Sequence, residues 1–243
     1  MGPIDPGLPG APVTSAAPWT PANPLPLAVL LSGGGTTLEN LCQAIDRDGL
    51  PARVTRVVSS RADAFGIERA RWRGIPVAVV PSRDFWRTVE PGAPGRPQRR
   101  EPDWRAFSDA LTPEIDAGGP GLVCLAGFLC RWLLPRRYGG RAMNIHPAPL
   151  PAFGGRGMHG LHAHAAVLAS GARESGCTVH WVNRDYDAGP VILRRTCPVL
   201  PDDTPETLAR RVAAEECLAY PEAIRLFAEG RLAPPAWDSS EPD

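Results

Sequence analysis

The stretch Leu27-Ala28-Val29-Leu30-Leu31-Ser32-Gly33-Gly34-Gly35-Thr36-Thr37-Leu38 decides the fold. Five apolar residues in an unbroken run read as a strand buried on both faces. The run ends in three glycines and two threonines, and residues 38–45 then show helical spacing. Outward from there the same unit repeats. A strand is predicted over 54–59, a helix over 62–73, and a strand over 76–80 after the stop at Gly74. Residues 82–102, rich in Pro, Gly and Arg, read as an exposed loop or flap. A helix follows over 104–117, with strands over 122–126 and 142–145. A helix over 161–170, strands over 177–182 and 191–199, and a last long helix running towards 229–230 complete the chain. Asp202-Asp203-Thr204-Pro205-Glu206 caps that last helix, with acidic residues and Pro where a helix N-terminus accepts them. Alternating strands and helices imply an α/β domain with a parallel sheet covered on both faces.

With 243 residues and 43% hydrophobic against 21% charged, the chain has material for one large globular domain. We place it at 25–232, between a Pro/Gly-rich leader at 1–24 and a polar tail at 233–243; no internal repeat is found. Twenty-six basic residues balance twenty-six acidic ones, and all the basic ones are Arg. The absence of Lys excludes a catalytic lysine and a Walker phosphate loop, and the zero net charge argues against nucleic acid as a partner. Cys42, Cys124, Cys130, Cys177, Cys197 and Cys217 form no C-x-x-C pair and read as reduced thiols of a cytoplasmic protein. Neither a secretion signal nor a membrane anchor is read from the sequence.

The glycine loop offers backbone N–H groups and hydroxyls at the positive end of a helix, a place for a phosphate. It is not a dinucleotide fingerprint: the third glycine would fall at Leu38, and the second strand ends in Ser59-Ser60 without an acidic residue for a ribose. A monophosphate fits better, although a tight turn would also need small residues. Asn144-Ile145-His146-Pro147 lies where a strand end opens a site, with Asn144 and His146 on one side of the strand. Asp187, in Tyr186-Asp187-Ala188-Gly189-Pro190, adds a carboxylate on a turn that could fold back over them. Each of the three has a structural reading on its own. Together an amide, an imidazole and a carboxylate are equipment for acyl transfer. His159, His162 and His164 are close in sequence, but no Cys or carboxylate stands at ligand spacing, and no metal is expected. Arg96, Arg99, Arg100 and Arg105 read as a solvated basic run that could attract an anion.

Several segments together resemble a known family. They are Leu-Ser-Gly-Gly-Gly-Thr-Thr-Leu (31–38), Arg-Ala-Asp-Ala-Phe-Gly-Ile-Glu-Arg-Ala (61–70), Leu-Ala-Gly-Phe-Leu (125–129), Asn-Ile-His-Pro-Ala-Pro-Leu-Pro (144–151), Gly-Cys-Thr-Val-His-Trp-Val (176–182) and Asp-Ala-Gly-Pro-Val-Ile (187–192). In order and spacing, over about 27–232, they resemble phosphoribosylglycinamide formyltransferase, the folate-dependent enzyme of purine biosynthesis. The resemblance implies a Rossmann-like formyltransferase fold with a mostly parallel central sheet. It also implies 10-formyltetrahydrofolate as cosubstrate and glycinamide ribonucleotide as acceptor, with no metal; a homodimer stays open. By motif match, Asn144 would bond the formyl oxygen, His146 would act in proton transfer, and Asp187 would hold His146 and raise its pKa. Phosphate contacts would fall at Gly35, Thr36 and Thr37, and Glu216 would lie near the ribonucleotide. Folate would lie against Leu129, Cys130, Arg131, Trp132 and Leu133, beside Asn144 and the turn Asn183, Arg184, Asp185 and Tyr186. The loop at 154–160 is longer than the usual one. Formyltetrahydrofolate deformylase, methionyl-tRNA formyltransferase and sugar-nucleotide formyltransferase share the trio. The first normally carries a preceding regulatory domain and the second an RNA-binding domain. A non-enzymatic phosphate sensor would keep the glycine loop without needing the trio.

Overall fold

In a computed structural model, residues 19–89 and 99–235 are described. Their strands and helices are β1 (Leu25–Leu31), α1 (Thr36–Asp48), β2 (Ala52–Ser59), α2 (Gly66–Trp72), β3 (Val77–Val79), β4 (Trp86–Val89), β5 (Arg99–Pro102), α3 (Trp104–Asp116), β6 (Leu122–Leu125), β7 (Ala142–His146), α4 (Leu161–Ala169), β8 (Glu174–Trp181), β9 (Val191–Pro198) and α5 (Pro205–Ala228). Seven strands form one sheet in the order β3-β2-β1-β6-β7-β8-β9. The first five run parallel, while β8 pairs antiparallel with both β7 and β9.

Side chains of β1 show why the sheet needs cover on both faces. Leu25, Leu27, Val29 and Leu31 enter one core with residues of α1, α2, α4 and α5. Ala28 and Leu30 enter the other, with Phe107, Leu111 and Ile115 of α3. This is the two-residue alternation of a pleated strand with apolar residues on both sides. From β1 the chain moves out through β2 and β3, then returns to β6 on the other flank of β1. Such a reversal leaves a crevice at the carboxyl ends of β1 and β6, where open α/β sheets bind ligands.

Two local expectations change. The helix expected over 62–73 is shortened to α2, because the Gly66 N–H bonds the Gly33 carbonyl at 3.0 Å and ties its start to the glycine loop. The segment 82–102 is not all loop: β4 and β5 pair antiparallel, and Asp103 beside them caps α3 by accepting from the Ala106 N–H. The expected leader at 1–24 and tail at 233–243 lie largely outside the described residues. No helix among the described residues is long and apolar enough to cross a membrane.

Candidate active site

The glycine loop is built by close backbone approach. Gly35 has φ 72°, a left-handed conformation that suits glycine, and a Cβ there would stand 2.6 Å from the Gly66 Cα. With Gly35 at its N-cap, α1 begins at Thr36 without a side-chain cap, so its first-turn N–H groups face outward beside exposed Thr36 and half-buried Thr37. Arg69 Nε donates to the Gly34 carbonyl at 2.9 Å and brings a cation to the loop. Ser32 joins this loop to the next segment: its N–H donates to the Gly127 carbonyl, and its Oγ accepts from the Leu129 N–H at 2.9 Å.

β7 delivers Asn144 and His146 at its carboxyl end, as expected. Asp187 comes back over them through a turn that needs two unusual positions. Asp187 itself has φ 53°, tolerated by Asp. Gly189 passes so close to β8 that a Cβ would meet the Trp181 carbonyl oxygen. The carboxylate then gathers four groups. The Asp187 oxygens lie 3.4 Å from His146 Nδ1, 3.6 Å from His180 Nε2 and 3.4 Å from Asn144 Nδ2, and one accepts from the Gly155 N–H at 3.0 Å. The other nitrogen of His146, Nε2, stands 2.7 Å from the Phe153 carbonyl oxygen, and the residue is 4% exposed. A carbonyl only accepts, so this contact places a proton on Nε2.

Burial pushes the His146 imidazole below its ordinary value; Asp187 and the Phe153 carbonyl pull it upward without reversing the direction. Asp187 thus raises this pKa as expected, but desolvation of the charged ring outweighs the carboxylate and sets the net direction. Burial also pushes Asp187 upward, but the polar groups gathered on it, the donating Gly155 N–H among them, outweigh it and hold the carboxyl below the usual range. The pair is a neutral imidazole beside an ionised carboxylate.

Asn144, His180 and Asp187 open into a cavity of about 60 Å³. Leu125, Phe128, Cys130, Arg131 and Trp132 line one side, and residues 182–186 the other. Arg131 ties the two sides: its Nε donates to the Arg184 carbonyl at 2.9 Å, and its Nη2 lies 3.3 Å from Asp185 Oδ1. Of the residues expected against folate, Leu129 and Leu133 do not line this cavity. Leu129 is 48% exposed and its backbone serves Ser32, while Leu133 faces a separate cavity of about 710 Å³ against α3. Trp132 lines the small cavity yet is almost wholly buried, its Nε1 donating to Thr112 Oγ1. His159 and His162 meet edge to face, and His164 is buried in α4. Among the described residues no cluster of three metal-ligating side chains forms.

Glu216 lies on α5, four residues before Tyr220, whose hydroxyl reaches the carbonyls of Leu125 at the end of β6 and of Met143, the residue before Asn144 in β7. Next to it, the Cys217 carbonyl accepts from Asn40 of α1. Glu216 therefore sits between the helix behind the glycine loop and the strand ends carrying the trio. Burial alone pushes its carboxyl up to about 7. His180 is the residue that the sequence reading quoted within a motif but gave no role; a lone histidine in an apolar strand carries no signal of its own.

A crevice at the carboxyl edge of a mostly parallel sheet, a helix N-terminus open to an anion, and a buried imidazole beside a half-buried amide and carboxylate define an α/β group-transfer protein. Residues 25–224 match the formyl transferase family, and the chain belongs to it. Over 209 residues it is 37% identical to phosphoribosylglycinamide formyltransferase of Escherichia coli (strain K12), covering 85% of this chain and 88% of that protein. It is 38% identical over 210 residues to the chloroplastic phosphoribosylglycinamide formyltransferase of Arabidopsis thaliana, covering 85% of this chain but 66% of that relative. Among solved structures, the phosphoribosylglycinamide formyltransferase of Coxiella burnetii superposes with a TM-score of 0.72 at 39% identity, covering 86% of this chain and 89% of that one.

Proposed function

We propose that this chain transfers the formyl group of 10-formyltetrahydrofolate to the amine of glycinamide ribonucleotide, without a metal. The observation that carries the reading is the convergence of Asn144 and His146 on Asp187, with Asn144 and Asp187 lining a cavity walled by residues 130–132 and 182–186 and His146 buried behind them. The names of relatives matched over most of their length support a formyl group as what is transferred and phosphoribosylglycinamide as its acceptor.

In the reaction, the substrate amine attacks the formyl carbon, a C–N bond forms, and negative charge grows on the formyl oxygen. Asn144 Nδ2–H and His146 Nε2–H are the donors for that oxygen. The His146 donor is directed at the Phe153 carbonyl in this arrangement, so productive binding exchanges that partner for the formyl oxygen. Collapse of the intermediate breaks the bond from carbon to the folate nitrogen, which takes up the proton lost by the attacking amine. His146 serves that transfer: its Nε2–H faces the reacting atoms, its free lone pair is on Nδ1, 3.4 Å from Asp187 Oδ2, and the ionised carboxylate stabilises the imidazolium formed when Nδ1 takes a proton. The first turn of α1, with Gly35, Thr36 and Thr37, holds the ribonucleotide phosphate. Glu216 lies near the ribonucleotide. Cys130, Arg131, Trp132 and the 183–186 turn hold the folate, and Leu129 and Leu133 frame that segment.

The test is to incubate the purified chain with 10-formyltetrahydrofolate and glycinamide ribonucleotide and follow formylated product. Product that requires both substrates is the expected result. Tetrahydrofolate released at the same rate without the ribonucleotide would assign hydrolysis instead, as in a deformylase.

A further inference from the structure

We infer that His180 is a positioning residue for Asn144: a neutral imidazole with its proton on Nδ1, whose Nε2 lone pair holds the Asn144 amide and aims its second N–H at the reacting oxygen. The kinetic part rests on the proposed formyl transfer; the tautomer does not.

Register places His180 on β8 directly opposite Asn144 on β7, so the two side chains share one face of the sheet. His180 is 2% exposed, and both ring nitrogens have partners of fixed character. Nδ1 stands 2.8 Å from the Trp181 carbonyl oxygen, which can only accept, so Nδ1 carries hydrogen. Nε2 stands 3.1 Å from Asn144 Nδ2, which can only donate, so Nε2 offers a lone pair. Asn orientation is settled by its neighbours, and Asp187 supplies the deciding one. Were the amide reversed, its oxygen would sit where Nδ2 now lies 3.4 Å from Asp187 Oδ1, with two acceptors facing each other in a buried site. An imidazolium would put an Nε2–H against the Asn144 NH2 group. Its compensating partner, Asp187 Oδ1, is 3.6 Å away, too far for a good hydrogen bond.

The two N–H groups of Asn144 are thus held unequally. His180 takes one at 3.1 Å; the other reaches Asp187 at 3.4 Å, near the limit of a hydrogen bond. The loosely held one is available to a formyl oxygen. Without His180 the amide can rotate and present its own oxygen to the growing negative charge, which turns stabilisation into repulsion.

Two measurements on the full chain test this. Ring-15N NMR of the histidines should show His180 protonated at Nδ1 only at neutral pH; protonation at Nε2, alone or with Nδ1, would overturn the assignment. For kinetics, His180→Gln keeps a side-chain amide near the Nε2 position, His180→Asn keeps one near Nδ1, and His180→Leu keeps neither. We expect Leu and Asn to lower kcat by about 100-fold with KM for either substrate within about threefold, and Gln to stay within about tenfold of the parent. Equal losses in all three, or recovery by Asn as good as by Gln, would reduce His180 to packing or to its bond with Trp181. Should the Leu variant not fold, the Gln and Asn pair still decides. A parent chain that transfers no formyl group would defeat the proposed function and leave the NMR result to decide the tautomer.

Discussion

Asp187 holds the site together through one carboxylate shared among Asn144, His146, His180 and the Gly155 N–H. An amide in its place could turn an N–H towards the Asn144 and Gly155 N–H groups, which need an acceptor, and would leave the developing imidazolium without its counter-charge. We expect Asp187→Asn to lower kcat by about 10²- to 10⁴-fold with KM little changed; a loss under tenfold, measured at substrate saturation, would remove Asp187 from the mechanism. Glu216 gives a second test, of pH dependence. Its folded pKa is pushed up to about 7 from an ordinary 4.5 by burial, so the folded chain keeps a proton that the unfolded chain releases between those values. The stability this contributes is full below pH 4.5 and is lost as pH rises through about 7. Glu216→Gln should therefore match the parent in thermal melts at pH 4.5 and exceed it above pH 7, by on the order of 1–3 kcal/mol. Equal melts at both pH values would show that the carboxyl is already solvated. At this scale Asn144, His146 and Asp187 were legible because proline or glycine follows close behind each of them and marks a strand end or turn. His180 was not, since Cys-Thr-Val-His-Trp reads as an ordinary buried strand and only register reveals that it faces Asn144.

Strand direction is where reading elements from sequence reached its limit. An apolar run such as Leu122–Leu125 or Ala142–His146 shows that a strand is buried, not which way it runs. The antiparallel pairing of β8 with β9 is set by the short return at residues 182–190, which leaves no room for a crossover helix, whereas β8 runs antiparallel to β7 although the connection between them carries α4. The pairing of β4 with β5 was hidden for another reason: the Pro- and Gly-rich stretch between them dominates the composition of 82–102. What positions the strand ends is α5, through the Tyr220 hydroxyl placed 3.0 Å from both the Leu125 and the Met143 carbonyls. Tyr220→Phe deletes that wholly buried hydroxyl and leaves two carbonyls without it. The expected cost is about 1–3 kcal/mol in a denaturant melt. An unchanged melting curve would mean that α5 is fixed by packing alone.

Across the molecule, the sheet separates two cores of unequal cover: four helices pack on one face and α3 alone on the other. The thinner side reaches the cavity through aromatic contacts. Phe107 is fully buried and meets Phe85, Trp104 and Phe128, with ring centroids 5.6, 5.9 and 6.3 Å away. Phe128 in turn lines the cavity of Asn144 and Asp187. Trimming Phe107 therefore acts on stability and on the folate wall together, while the glycine loop and Glu216 belong to elements on the opposite face. Phe107→Ala should cost about 3–5 kcal/mol in global stability, the range for emptying a buried aromatic site. In the fraction that remains folded, KM for 10-formyltetrahydrofolate should rise several-fold with KM for glycinamide ribonucleotide unchanged. Equal changes in both constants would mean that the sheet transmits the cavity to the other face and that the two substrate sites are not mechanically separate.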